Sequence, residues 1–150
     1  MAALFVRIQA DDFDAAALQE ELLPSAGVGA VATFTGLVRR EAGEDGFHGL
    51  FLEHYPGMAE AAIGAILDEA TQRWSISGAG VVHRVGTLAP RERIVWVGVA
   101  APHRGDAFQA CEFAMDYLKT RAPLWKKELH SAGASWVTAR AGDRERATRW

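Results

Sequence analysis

A chain of 150 residues, 49% hydrophobic and 23% charged, has the size and balance of one soluble domain. A formal net charge of −3 argues against wholesale binding to nucleic acid, and a single cysteine, Cys111, excludes an intrachain disulfide or a cysteine metal cluster. No stretch reaches the ~20 apolar residues of a membrane span. Arg7, Asp11, Asp12 and Asp14 interrupt any signal-peptide run, so a cytoplasmic location is expected.

Residues 3–9 read as a strand. Asp11 and Asp12 offer caps for a helix over 13–23, its apolar face carrying Phe13, Ala17, Leu18 and Leu22 and its end set by Pro24. Gly27 and Gly29 lead into a strand over 30–39, where alternation puts Val31, Thr33, Thr35 and Leu37 on one face. Residues 40–47, polar and Gly-rich, read as a mobile loop. A third strand spans 50–55 and ends at the Pro56-Gly57 turn. The next helix, 58–74, repeats Met58, Ala62, Ile63, Ile66, Leu67 and Ala70 at helical spacing.

Gly78 and Gly80 open a strand over 81–86, and 94–100 is another. Residues 102–106 turn into a long helix carrying Cys111, Met115 and Lys119, in which Cys111 reads as a buried core thiol. Pro123 disfavours helical geometry at Ala122 and is expected to end that helix and open a second one at its first position, with Trp125 as a core anchor. A short strand near 135–139 precedes an Arg-rich end, Arg140, Arg144, Arg146 and Arg149, that reads as a solvated tail. Helices and strands are mixed and joined by short Gly-rich turns, without repeats or linkers. The expectation is a single α+β domain, a mostly antiparallel sheet with packed helices.

The three lysines, Lys119, Lys126 and Lys127, lie within nine residues of one another, whereas the other thirteen basic residues are arginines. An ammonium loses its proton when buried or crowded by cations, and a guanidinium effectively does not. Lys119, in the last turn of one helix, is expected to favour its charged form. Lys126, just inside a second helix, is expected to have its pKa lowered by the dipole. That pair would divide labour between a fixed cation and a proton-transfer group. His103 and Arg104, ahead of a helix start, form a candidate phosphate site. Arg39 ends a strand and joins them only if the fold or a subunit contact brings these cations together. His48, His54, His83 and His130 lack metal-ligand spacing and read as structural or surface residues.

Five segments together resemble the MoaE family, the large, catalytic subunits of molybdopterin synthase. They are residues 34–39 (Phe-Thr-Gly-Leu-Val-Arg), 52–58 (Leu-Glu-His-Tyr-Pro-Gly-Met), 83–86 (His-Arg-Val-Gly), 101–104 (Ala-Pro-His-Arg) and above all 115–128 (Met-Asp-Tyr-Leu-Lys-Thr-Arg-Ala-Pro-Leu-Trp-Lys-Lys-Glu). The resemblance covers nearly the whole chain, and the block around Trp136 also fits. Two positions depart: Arg91 stands in a turn where relatives often carry glycine, and Thr138 where an acid is common.

The resemblance implies an α/β-hammerhead-like fold and a sulfurtransferase of molybdenum cofactor biosynthesis. Cyclic pyranopterin monophosphate (precursor Z) would receive two sulfurs from the thiocarboxylate that ends the Gly-Gly tail of a small, ubiquitin-like MoaD-family partner. It implies a homodimer within a heterotetramer, and no metal or redox cofactor. Lys119 and Lys126 would be catalytic. Lys119 would contact the thiocarboxylate and stabilise the acyl intermediate; Lys126 would act as general acid or base or hold a substrate oxygen. Arg39, His103 and Arg104 would hold phosphate and pterin, and Leu37, Val38, Lys127 and Glu128 would line the same pocket. A non-enzymatic adaptor for a ubiquitin-like tail and a lysine Schiff-base enzyme acting on a phosphorylated carbonyl compound remain as alternatives.

Overall fold

The computed structural model describes residues 2–40, 46–137 and 140–150. In chain order the elements are β1 (Ala3–Gln9), α1 (Ala15–Leu22), β2 (Ala30–Leu37), β3 (Phe47–His54), α2 (Met58–Arg73), β4 (Gly78–Arg84), β5 (Gly86–Leu88), β6 (Arg93–Ala101), α3 (Arg104–Arg121), β7 (Leu124–His130), β8 (Gly133–Val137) and α4 (Ala141–Ala147). The strands form two four-stranded sheets, ordered β1-β4-β6-β2 and β5-β3-β7-β8. Only the β1–β4 pair is parallel among them. The α+β, mostly antiparallel expectation holds. No helix is long and apolar enough to cross a membrane.

The larger sheet is covered on both faces, which is why residues 78–82 of β4 and the centre of β6 read as unbroken apolar runs. On one face Val81, Val95, Val97 and Val99 pack against Ile63, Ile66 and Leu67 of α2 and Phe113, Ala114 and Tyr117 of α3. On the other, Val82 and Trp96 pack against Leu18 and Leu22 of α1. Paired Gly80 and Gly98 make the second face possible: a Cβ at Gly80 would fall 2.2 Å from the Phe5 ring, and one at Gly98 would fall 2.3 Å from Trp96. Phe5 and Trp96 fill that space, stacked at 6.1 Å. Each such buried side chain contributes about 1.5–3 kcal/mol. Cys111 is buried as expected, and burial raises its thiol pKa to about 12.

Several expectations are corrected. The first helix is capped by Asp14, whose side chain accepts from the backbone N–H groups of Ala16 and Ala17. Asp12 instead pairs with Arg93 at 2.7 Å. The strand expected over 81–86 begins at Gly78 and ends at Arg84; Gly86, at φ +93°, starts β5 in the second sheet. Residues 124–130 are a strand, not a helix. Ala122 is extended (ψ 128°), and β7 finds backbone partners in β3 on one side and β8 on the other, a ladder that outweighs the local helical pattern. Trp125 is 44% exposed rather than a core anchor, because alternation turns it outward against Tyr55.

The C-terminal arginines are not simply solvated. Buried Asp116 accepts from Arg146, Arg149 and the indole N–H of Trp150, and Glu112 accepts from both arginines, so α4 is tied down on α3. The strand near 135–139 is seen as β8; Thr138 and most of the loop at 40–47 lie outside the described residues. Arg91 occupies the left-handed region at φ 77°, with its N–H donated to Val38 at 2.8 Å. A turn that suits glycine therefore carries a long side chain, whose Cβ puts the backbone there under strain.

Candidate active site

Where α3 ends, the extended Ala122 reverses the chain into β7 and brings the tail of one element against the start of the next. A cavity of about 1130 Å³ opens there, walled by the end of α3, β2, β7 and the β5–β6 turn. It exceeds the ~300–1,000 Å³ typical of small-ligand sites. Its lining mixes apolar side chains such as Phe34, Val38, Met115 and Leu118 with Arg39, Arg40, Arg91, Lys119, Lys126 and Arg140. Only Glu128 and Asp143 bring carboxylates among the described lining residues. A chain that is acidic overall thus concentrates positive charge in one recess, where low dielectric strengthens its hold on anions.

Lys119 and Lys126 share this recess. Lys119 comes from the last turn of α3, Lys126 from the third residue of β7. They converge through the turn between the two elements, not along one helix face. Lys126 is half-buried, and burial is the main reason its pKa falls to about 8. The neighbouring Lys119 charge and its direct contact with the Lys126 amine lower it further. Arg140 adds to the depression and Asp143 opposes it. The expected direction is therefore right, but its cause is desolvation and a like charge, not a helix dipole.

Leu37, Val38, Arg39 and Glu128 line the cavity as expected. Glu128 shares the Lys126 side of β7, with Oε2 3.2 Å from Nε2 of His130. Lys127 does not join them: one residue on along a strand reverses the side, and its Nζ lies over the Trp136 ring at 4.3 Å. Its side chain makes a cation–π contact on the opposite face of the small sheet. His103 and Arg104 are exposed at the start of α3. Fifteen residues of helix separate Arg104 from Lys119, about 22 Å at 1.5 Å per residue, so within one chain they stand apart from the lysines.

Four contributors went unrecognised in the sequence. His83, only 6% exposed, lines the cavity; a histidine in an apolar strand looks like a core residue, and its segment entered only as part of the family resemblance, with no role at the site. Arg140 and Asp143 reach the cavity because α4 is tied back over α3, a long-range contact that no local pattern announces. Arg91 also faces it, at a turn singled out only for its departure from glycine.

Known proteins agree with this architecture. The family model described as MoaE protein matches residues 8–121. The chain is 51% identical over 148 residues to a molybdopterin synthase catalytic subunit of Ralstonia nicotianae, covering 97% of this chain and 83% of that one. Among solved structures, a molybdopterin biosynthesis MoaE protein from Burkholderia ambifaria superposes with a TM-score of 0.82 at 48% identity, over 100% of this chain and 98% of that one. Molybdopterin synthase from Staphylococcus aureus gives 0.80 at 33% identity, over 87% and 95%.

Proposed function

The chain belongs to the MoaE family, and on that footing we propose that it acts as the catalytic subunit of a molybdopterin synthase, with the recess between α3 and β7 as the site of sulfur transfer. One observation carries the assignment of the site: two lysine amines meet inside a cation-rich cavity large enough for two guests. Both proposed guests are anions. The thiocarboxylate at the end of a small partner's Gly-Gly tail enters a narrow space easily because glycine has no side chain. The pyranopterin carries a cyclic phosphate, which arginine grips as a planar fork.

In this reading Lys119, the more open amine, holds the thiocarboxylate and the charge that develops as the tail's acyl group gives up its sulfur. Lys126 is mostly protonated at pH 7 and near half-protonated at pH 8, so it can both donate and recover a proton during turnover. Arg39 takes the phosphate side, and Glu128, fixed by His130, receives donors of the pterin. His103 and Arg104 reach the site from a second copy of the chain. The outer edge of β2 supports such a neighbour: it ends its sheet and exposes Phe34 and Leu37.

The test is reconstitution with a thiocarboxylated small subunit and the cyclic pterin, followed by assay for molybdopterin. Lys126→Ala and Lys119→Ala should each lower turnover about 100-fold or more while the circular dichroism spectrum stays unchanged. Undiminished turnover in both variants would reject this site. Borohydride trapping of the pterin on either lysine would instead indicate a Schiff-base enzyme.

A further inference from the structure

We propose that His83 is a positioning residue for Lys126, its Nε2 being the acceptor on which the Lys126 amine comes to rest. The proposal deepens the sulfur-transfer reading and relies on it for the consequence for turnover.

The ring sits on the face of the large sheet that α3 covers, opposite Val95 in β6 and beside Ile8 in β1. Its Nδ1 lies 2.8 Å from the carbonyl oxygen of Arg84. A carbonyl only accepts, so Nδ1 carries the proton, and the neutral ring leaves a bare lone pair on Nε2. Nε2 has no hydrogen-bond partner among the described residues, although the residue is more than nine-tenths buried and lines the cavity.

The ring stays neutral for a stated reason. The charged groups that bear on it are Lys126 from β7, Lys119 from α3 and His54 from β3, and β1 and β6 offer only Ile8 and Val95 beside it. Burial is the main cause, and together with those like charges it lowers the pKa to about 4.

An ammonium in a half-buried recess needs acceptors for its three N–H groups. Of the two carboxylates of the cavity, Glu128 pairs with His130 and Asp143 accepts from the backbone N–H of Arg140 at 3.2 Å, and neither is hydrogen-bonded to Lys126 among the described residues. The lone pair of His83 is unclaimed. A carboxylate in its place would lock Lys126 in its charged form. A neutral imidazole orients the amine and leaves its pKa low enough for proton transfer near neutrality.

The chain has only three lysines, so specific labelling of their Cε carbons yields three resonances to follow through a pH titration by NMR. His83→Asn keeps a donor toward the Arg84 carbonyl and removes the Nε2 acceptor; His83→Gln returns an amide near the Nε2 position. In His83→Asn the Lys126 midpoint should fall by about one unit. Lys119 and Lys127 should move much less. Turnover should drop about tenfold with KM within twofold, and Gln should restore part of both. A Lys126 midpoint that stays put in folded His83→Asn overturns the proposal. Should that variant not fold, nitrogen NMR of the wild-type imidazole decides: a bare Nε2 across pH 6–8 supports it, and a proton on Nε2 overturns it. The titration is independent of catalysis, so it reads the same even if reconstitution yields no molybdopterin.

Discussion

At the scale of single residues, Lys126 is costly where it stands. Its pKa falls from 10.5 to about 8 on folding, so between those values the unfolded chain binds more protons than the folded one. Stability attributable to this group therefore rises with pH from about 8 to 10.5, and its full penalty is present below pH 8. Lys126→Met, which keeps the stem and drops the charge, should stabilise the fold by about 2 kcal/mol at pH 7. That gain should shrink above pH 8 and vanish by about pH 10.5, as read from denaturant midpoints across pH, while synthase activity is lost. A midpoint difference that is flat with pH would show that Lys126 is not desolvated. His83 has the same sign lower on the scale: its pKa falls from 6.5 to about 4, so its neutral, buried form costs stability as the solution is acidified through that window.

At the scale of elements, the C-terminal helix matters because it carries Arg140 and Asp143 to the cavity. A seven-residue helix is too short to persist alone. What holds it is the convergence of Arg146, Arg149 and the Trp150 indole on Asp116, with Trp150 wedged against Trp74 and Phe113 at 5.5 and 5.9 Å. Asp116 is buried at 6% exposure while its arginine partners remain open, so the carboxylate gains most from the contact. Asp116→Ala should cost about 2 kcal/mol and release the helix. Hydrogen exchange at residues 141–147 should then speed up while α3 itself remains protected. Unchanged exchange there would mean that the apolar wedge alone anchors the segment.

At the scale of the whole molecule, the distance between Arg104 and Lys119 along α3 sets a prediction. If His103 and Arg104 act at a neighbour's cavity, a mixture of Lys119→Ala and Arg104→Ala chains, each inactive alone, should regain activity. Random pairing makes half the dimers mixed, and each of these restores one of its two sites, so about a quarter of the wild-type rate is expected after subunit exchange. Light scattering should show the dimer at the same concentrations. No recovery in a mixture whose exchange is verified would confine both residues to some other task.

Much of this protein was legible in its sequence. Periodicity located β1, α2, β6 and α3 nearly to their ends, since their apolar faces meet the core the way alternation and helical spacing demand. The clustering of every lysine in one short segment singled out the stretch whose Lys119 and Lys126 line the cavity, because that clustering depends on residue type and not on fold. The tertiary structure alone decided that residues 124–130 are a strand, as ladder partners from β3 and β8 override a pattern that reads locally as helix. From that single outcome follows the fate of adjacent lysines: the strand's two-residue period sends Lys126 into the cavity and Lys127 to the opposite face. Burial, which lowers the Lys126 pKa and keeps His83 neutral, is likewise a property of what surrounds a side chain, and those surroundings come from residues far away in the chain.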